Sequence, residues 1–131
     1  MRIRRALAAL LSLAAGLFIF MYRGPGWRPI RHTMGDVIVT PFLIFTLLAL
    51  SGMGRGRAVI GVCAFAFAVE AAQLMKWTRP DDPWWVQITF GSTADPLDLV
   101  AYAVGCGLAY AVDRWLLQPS AAGPRGPGAL P

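Results

Sequence analysis

Glu70 and Gln73 stand inside a long apolar stretch, three positions apart and so on one face of a helix. The stretch closes at Trp77, which places the Glu70 carboxyl roughly 10 Å of helix rise inside it. If that stretch crosses a bilayer, an ionisable group at this depth costs at least about 2.5 kcal/mol, and it is kept where it faces a protein interior and a partner. Two roles fit it: a proton-accepting or ligand-orienting group, or an interhelical hydrogen-bond clamp worth about 0.6 kcal/mol. Asp36 and Asp98 are the next candidates. Thr33-Met34-Gly35-Asp36 and Asp95-Pro96-Leu97-Asp98 each fit an N-cap followed three residues later by an acid, the second with proline at the first helical position. Capping alone would explain both aspartates. Against it, if the second and fourth helices both run inward from the outer face, Asp36, Asp98, Glu70 and Gln73 all lie in the outer half of one bundle, with Tyr102 one turn below Asp98, level with Glu70 and able to donate its phenol to that carboxylate.

Arg31 and His32 precede the second apolar stretch, and Lys76 and Arg79 follow the third. Guanidinium forks there suit a phosphate or carboxylate headgroup, although ordinary snorkelling would also place them. His32 and Asp36 share an i, i+4 spacing, but one histidine is a weak basis for a metal site, and neither a metal nor another cofactor is expected. Cys63 and Cys106 lie in apolar runs without zinc or disulfide spacing and read as small packing residues. Ser92 and Thr93 sit in a loop with no base placed beside them, so no catalytic residue is identified.

The elements that position these residues are four apolar stretches, at about 6–22, 36–51, 58–77 and 97–117. Each approaches the roughly 20 residues needed to span hydrocarbon. The second is the shortest and, with Pro41 one turn in, would need help from its Gly35-Asp36 end or a locally thinned bilayer. In 131 residues, 56% are hydrophobic and 15% charged, where soluble domains carry about 25% charged residues. The fold expected is therefore an all-α integral membrane bundle of four transmembrane helices over residues 1–118, followed by a disordered Pro/Gly-rich tail at 119–131. The net charge of +5 comes from arginines between the apolar runs, a pattern of topology signals rather than of nucleic-acid binding. With the N-terminus inside, Arg2, Arg4, Arg5, Arg55, Arg57, Arg114 and Arg125 face the cytoplasm, against Arg23, Arg28, Arg31, Lys76 and Arg79 outside. That bias favours an N-in, C-in arrangement with an uncleaved first helix. Trp84, Trp85 and Phe90, in the 78–95 loop, suit an interfacial belt. Ala101, Gly105 and Ala109 form a small-residue stripe for close helix packing.

The Arg31-His32-x-x-Gly35-Asp36 start of the second helix, Glu70-x-x-Gln73 of the third and Asp98-Leu99-x-Ala101-Tyr102-x-x-Gly105 of the fourth resemble the bacterial "domain of unknown function 2809" family, from about Arg31 to Gly105. That family is itself similar to VanZ-like membrane proteins, which carry an acid and a glutamine on one helix and a later aspartate, but an asparagine where Tyr102 stands. The closer resemblance implies no activity. The looser one implies a multi-pass protein of the bacterial plasma membrane, acting in the cell envelope. The leading expectation is an outward-facing polar pocket that binds, or also modifies, an anionic lipid-linked or amphiphilic molecule, with Glu70, Asp36, Gln73, Asp98 and Tyr102 in the site and Arg31 and Arg79 recruiting negative charge. Two others stand beside it: a small proton-coupled transporter of a cationic substrate, working as an oligomer, and a structural accessory subunit. The partners expected are membrane lipids.

Overall fold

A computed structural model describes residues 1–75, 79, 81–86 and 95–117. Among them are four helices, each long and apolar enough to cross a membrane: α1 (Arg2–Met21), α2 (Trp27–Ser51), α3 (Arg55–Leu74) and α4 (Pro96–Leu117). No strand occurs among the described residues. The chain is an all-α, multi-pass membrane protein. The expected tail at 119–131 and most of the 78–95 loop, Phe90 included, lie outside the described residues.

The helix ends follow local chemistry. Gly26 takes a left-handed φ of 67° just before α2, and Pro29 follows in the first turn, where its missing N–H has no helical acceptor to lose. Gly52, at φ 64°, closes α2 in the left-handed conformation that glycine adopts without a Cβ penalty. Asp95 caps α4 by accepting from the Leu97 N–H at 2.9 Å, with Pro96 at the first position.

The second helix differs from expectation. It begins at Trp27, nine residues before position 36, through a first turn at Trp27–Pro29 and a π-turn at Ile30–Met34 that runs into regular α-helix at Gly35–Ser51. Its 25 residues rise roughly 37 Å, so neither bilayer thinning nor special help at Gly35 is required. Thr33 lies inside this helix and caps nothing.

α2 is the central element and packs against each of the other three, while α3 and α4 also pack together. α1 lies along α2 and meets the last turn of α4. The core holds Ile44, Phe45 and Leu48 from α2, Ala58 and Val62 from α3, and Cys106 and Ala109 from α4. Cys106 and the half-buried Cys63 are free thiols that neighbour each other across α3 and α4. The stripe on α4 is buried as expected at Ala101, Gly105 and Ala109. A Cβ on Gly105 would strike the Thr40 hydroxyl and the Val37 carbonyl oxygen and stand 3.1 Å from Pro41 Cδ, so only glycine lets the two backbones come this close. Leu7, Leu11 and Phe18 of α1 and Ile60 and Phe65 of α3 face outward, a surface matched to hydrocarbon and not to water.

Candidate functional site

The acids converge where α2, α3 and α4 meet. Because α2 starts early, Asp36 is well inside the helix, and its side chain faces those of Asp98 and Tyr102. Asp98 sits in the first turn of α4, yet the cap there is Asp95 and the Asp98 side chain reaches across to α2. Glu70, projecting from α3, is 2% exposed. Its carboxyl receives the Asp95 backbone N–H and lies within electrostatic range of Asp36 and Asp98. Beneath Asp36, the buried Thr40 hydroxyl donates back to the Asp36 and Val37 carbonyls at 3.5 and 3.4 Å, which holds the helix close to Gly105.

Two polar atoms of the site have no hydrogen-bond partner among the described residues: Glu70 Oε2 and Gln73 Oε1. Buried polar atoms are nearly always paired, so such a pair on one helix face marks a place where something else can bind. Three carboxyls facing one another in a low-dielectric setting repel when ionised. The cluster is therefore suited to sharing protons or to holding a positive charge.

The other expected residues go elsewhere. Tyr102 lies against Asp36 rather than Glu70, because the early start and length of α2 carry Asp36 into its reach. Arg31 is half-buried with its guanidinium 4.4 Å from the Phe20 ring centroid and 5.3 Å from that of Trp27, toward α1. Arg79 is exposed, its backbone N–H bonded to Asp82 Oδ2 at 2.6 Å. Among the described residues, the charges acting on Asp36, Glu70 and Tyr102 are the other carboxyls, with no arginine among them. His32 is exposed, and no group of three or more metal-binding side chains occurs among the described residues. Lys76, Ser92 and Thr93 lie outside them.

One charged pair escaped the sequence reading. Arg5 donates from Nε and Nη2 to the two Asp113 carboxylate oxygens at 2.7 and 2.9 Å, with side chains 10% and 1% exposed. The signal was available. Asp113 is an acid within the fourth apolar stretch, the same anomaly that singles out Glu70.

Comparison with known proteins gives a family and no function. Residues 25–106, more than half of the chain, match the family described as "Protein of unknown function (DUF2809)". This span contains Asp36, Glu70, Gln73, Asp98 and Tyr102, and omits both Arg5 and Asp113. No curated protein and no solved structure matches the chain. The chain belongs to the DUF2809 family.

Proposed function

We propose that this DUF2809 protein is a small proton-coupled carrier, in which the carboxyls of Asp36, Glu70 and Asp98 take a cationic solute or organic amine in exchange for protons. One observation carries the reading: three carboxyls and a phenol meet at the junction of three helices, and among the described residues the charges acting on them are the other carboxyls. Carriers that exchange a cation for a proton need such a group, able to hold either in turn. Glu70 is the exchanging carboxyl, since one of its oxygens is buried with no hydrogen-bond partner among the described residues. Asp36 and Asp98 face each other beside the Tyr102 phenol, and Gln73 offers a further acceptor. Four helices are few for a complete pathway, so the carrier works as an oligomer. Its setting is the bacterial plasma membrane, as the looser resemblance to VanZ-like envelope proteins implies. An anionic ligand at this cluster fits less well, because its charge would repel the carboxyls.

The test uses the full chain in proteoliposomes with an imposed pH gradient and ethidium as the cationic probe. Ethidium accumulation should follow the gradient and fall at least tenfold in Glu70→Gln, while Asp36→Asn should weaken the coupling. Gradient-driven accumulation that survives Glu70→Gln would sink the assignment.

A further inference from the structure

A second feature of the molecule lies on a different face of α2 and uses none of the acids. Arg31, Gly35, Ile38, Val39 and Phe42 recur at helical spacing along α2 and, with Leu13, Gly16 and Leu17 of α1, line an open apolar groove of about 290 Å³. The groove runs up to Phe20 and Arg31. Beyond these two residues a second space of about 400 Å³ is bounded by Phe20, Trp27, Arg28, Arg31 and His32. An apolar trough thus opens past one ring and one guanidinium into a basic chamber.

The charge in that chamber is unbalanced. The guanidiniums of Arg23, Arg28 and Arg31 lie 5.4, 5.4 and 5.3 Å from the Trp27 ring centroid, and no carboxylate among the described residues is paired with any of them. Three cations drawn to one indole repel each other, and the ring quadrupole offsets only part of that. A bound anion would offset the rest, and guanidinium forks match phosphate oxygens. An apolar trough ending in a phosphate-matched head chamber at the end of a membrane helix has the two-part chemistry of a phospholipid.

We propose that the α1–α2 groove binds an anionic glycerophospholipid, with part of one acyl chain along Leu13, Gly16, Ile38 and Phe42 and its phosphate held between Arg28 and Arg31, while Arg23, against the same indole, adds positive charge nearby. Phe20 and Arg31 form the boundary between chain and headgroup, and Trp27 keeps the three arginine side chains fanned around it. A zwitterionic lipid would bring its own cation into the same chamber and so binds more weakly.

The experiment reads electron spin resonance from the full chain in nanodiscs, comparing chain-labelled phosphatidylglycerol with equally labelled phosphatidylcholine. The protein should restrict the anionic lipid more strongly, by roughly fivefold for each arginine engaged. Arg28→Gln/Arg31→Gln should bring the two lipids near parity while both remain restricted. Gly16→Leu should release both, since a Cβ there stands 3.6 Å from Ile38 Cγ2, an ordinary contact that lets the larger side chain fill the trough. Should either variant fail to fold, the wild-type protein alone decides: added salt should erode the preference for phosphatidylglycerol and leave total restriction unchanged. Equal restriction of the two lipids by the wild type, a preference indifferent to both salt and the arginines, or full displacement of the labelled chain by inorganic phosphate would overturn the proposal.

Discussion

Among the described residues, the two most deeply buried ionisable groups, Glu70 at 2% and Asp113 at 1% exposure, answer the cost of burial in opposite ways. Asp113 receives both arms of the Arg5 fork, whereas one Glu70 oxygen has no partner among the described residues. Removing one member of a buried pair strands the other charge at a cost of about 3–5 kcal/mol, while replacing both with apolar side chains of similar volume is often neutral. Asp113→Asn should therefore destabilise the protein by several kcal/mol in detergent unfolding titrations, and the Arg5→Met/Asp113→Leu double variant should recover most of it. Additive losses in the double variant would show that the pair acts elsewhere than through the shared contact. Glu70, Asp36 and Asp98 could be found from sequence because each interrupts or opens an apolar run at a similar depth. The Arg5–Asp113 pair was hidden because its members are 108 residues apart and an arginine beside a first helix already has a sufficient explanation as a topology signal.

The start of α2 shows why a helix boundary is harder to read than a helix. Residues 27–35 carry two arginines, a histidine, a proline and a glycine, which in a soluble chain would read as a loop. They are helical here because Pro29 falls in the first turn and the arginines can point away from hydrocarbon at the membrane edge. The π-turn at Ile30–Met34 adds a residue to one turn and so resets which faces Arg31 and Asp36 occupy. A periodicity count over the uninterrupted apolar run could not anticipate that. The small-residue stripe of α4 was readable, since the absence of side chains is itself a signal for close approach. Its sharpest test compares two glycines on one helix. In Gly105→Ala the methyl would be driven into Thr40 and the Val37 carbonyl, and overpacking of this kind costs about 1–3 kcal/mol. By contrast, a methyl added at Gly107 would meet nothing within 4 Å, so Gly107→Ala should be neutral or gain up to roughly 1 kcal/mol from helix propensity. Unfolding midpoints that move together would mean that the helices are not in contact at Gly105.

At the scale of the whole molecule, the Arg5–Asp113 pair fixes the relation of the chain's ends. It joins the first turns of α1 to the last turn of α4, so both must lie at the same membrane face, which an even number of crossings permits and an odd number forbids. With α1 and α4 tied, the glycine-bounded turn at Gly52–Gly54 between α2 and α3 belongs to that same face, and the acid cluster and the Arg31 chamber to the other. Which face is cytoplasmic depends on charge. Arg2, Arg4 and Arg5 precede the first helix and Arg55 and Arg57 flank the inner turn, against Arg23, Arg28, Arg31 and Arg79 opposite. Arg5 has a buried carboxylate partner, so its topological weight is reduced and more of the bias falls on the others. We expect alkaline phosphatase fused after Arg79 to be active and fused after Met53 to be inactive, with green fluorescent protein at the same two sites giving the reverse. Reversal at both sites would turn the bundle over and move the acids and the basic chamber to the cytoplasmic leaflet, leaving their chemistry intact. Activity at both would break the antiparallel pairing of α2 and α3 on which the convergence of Asp36 with Glu70 depends.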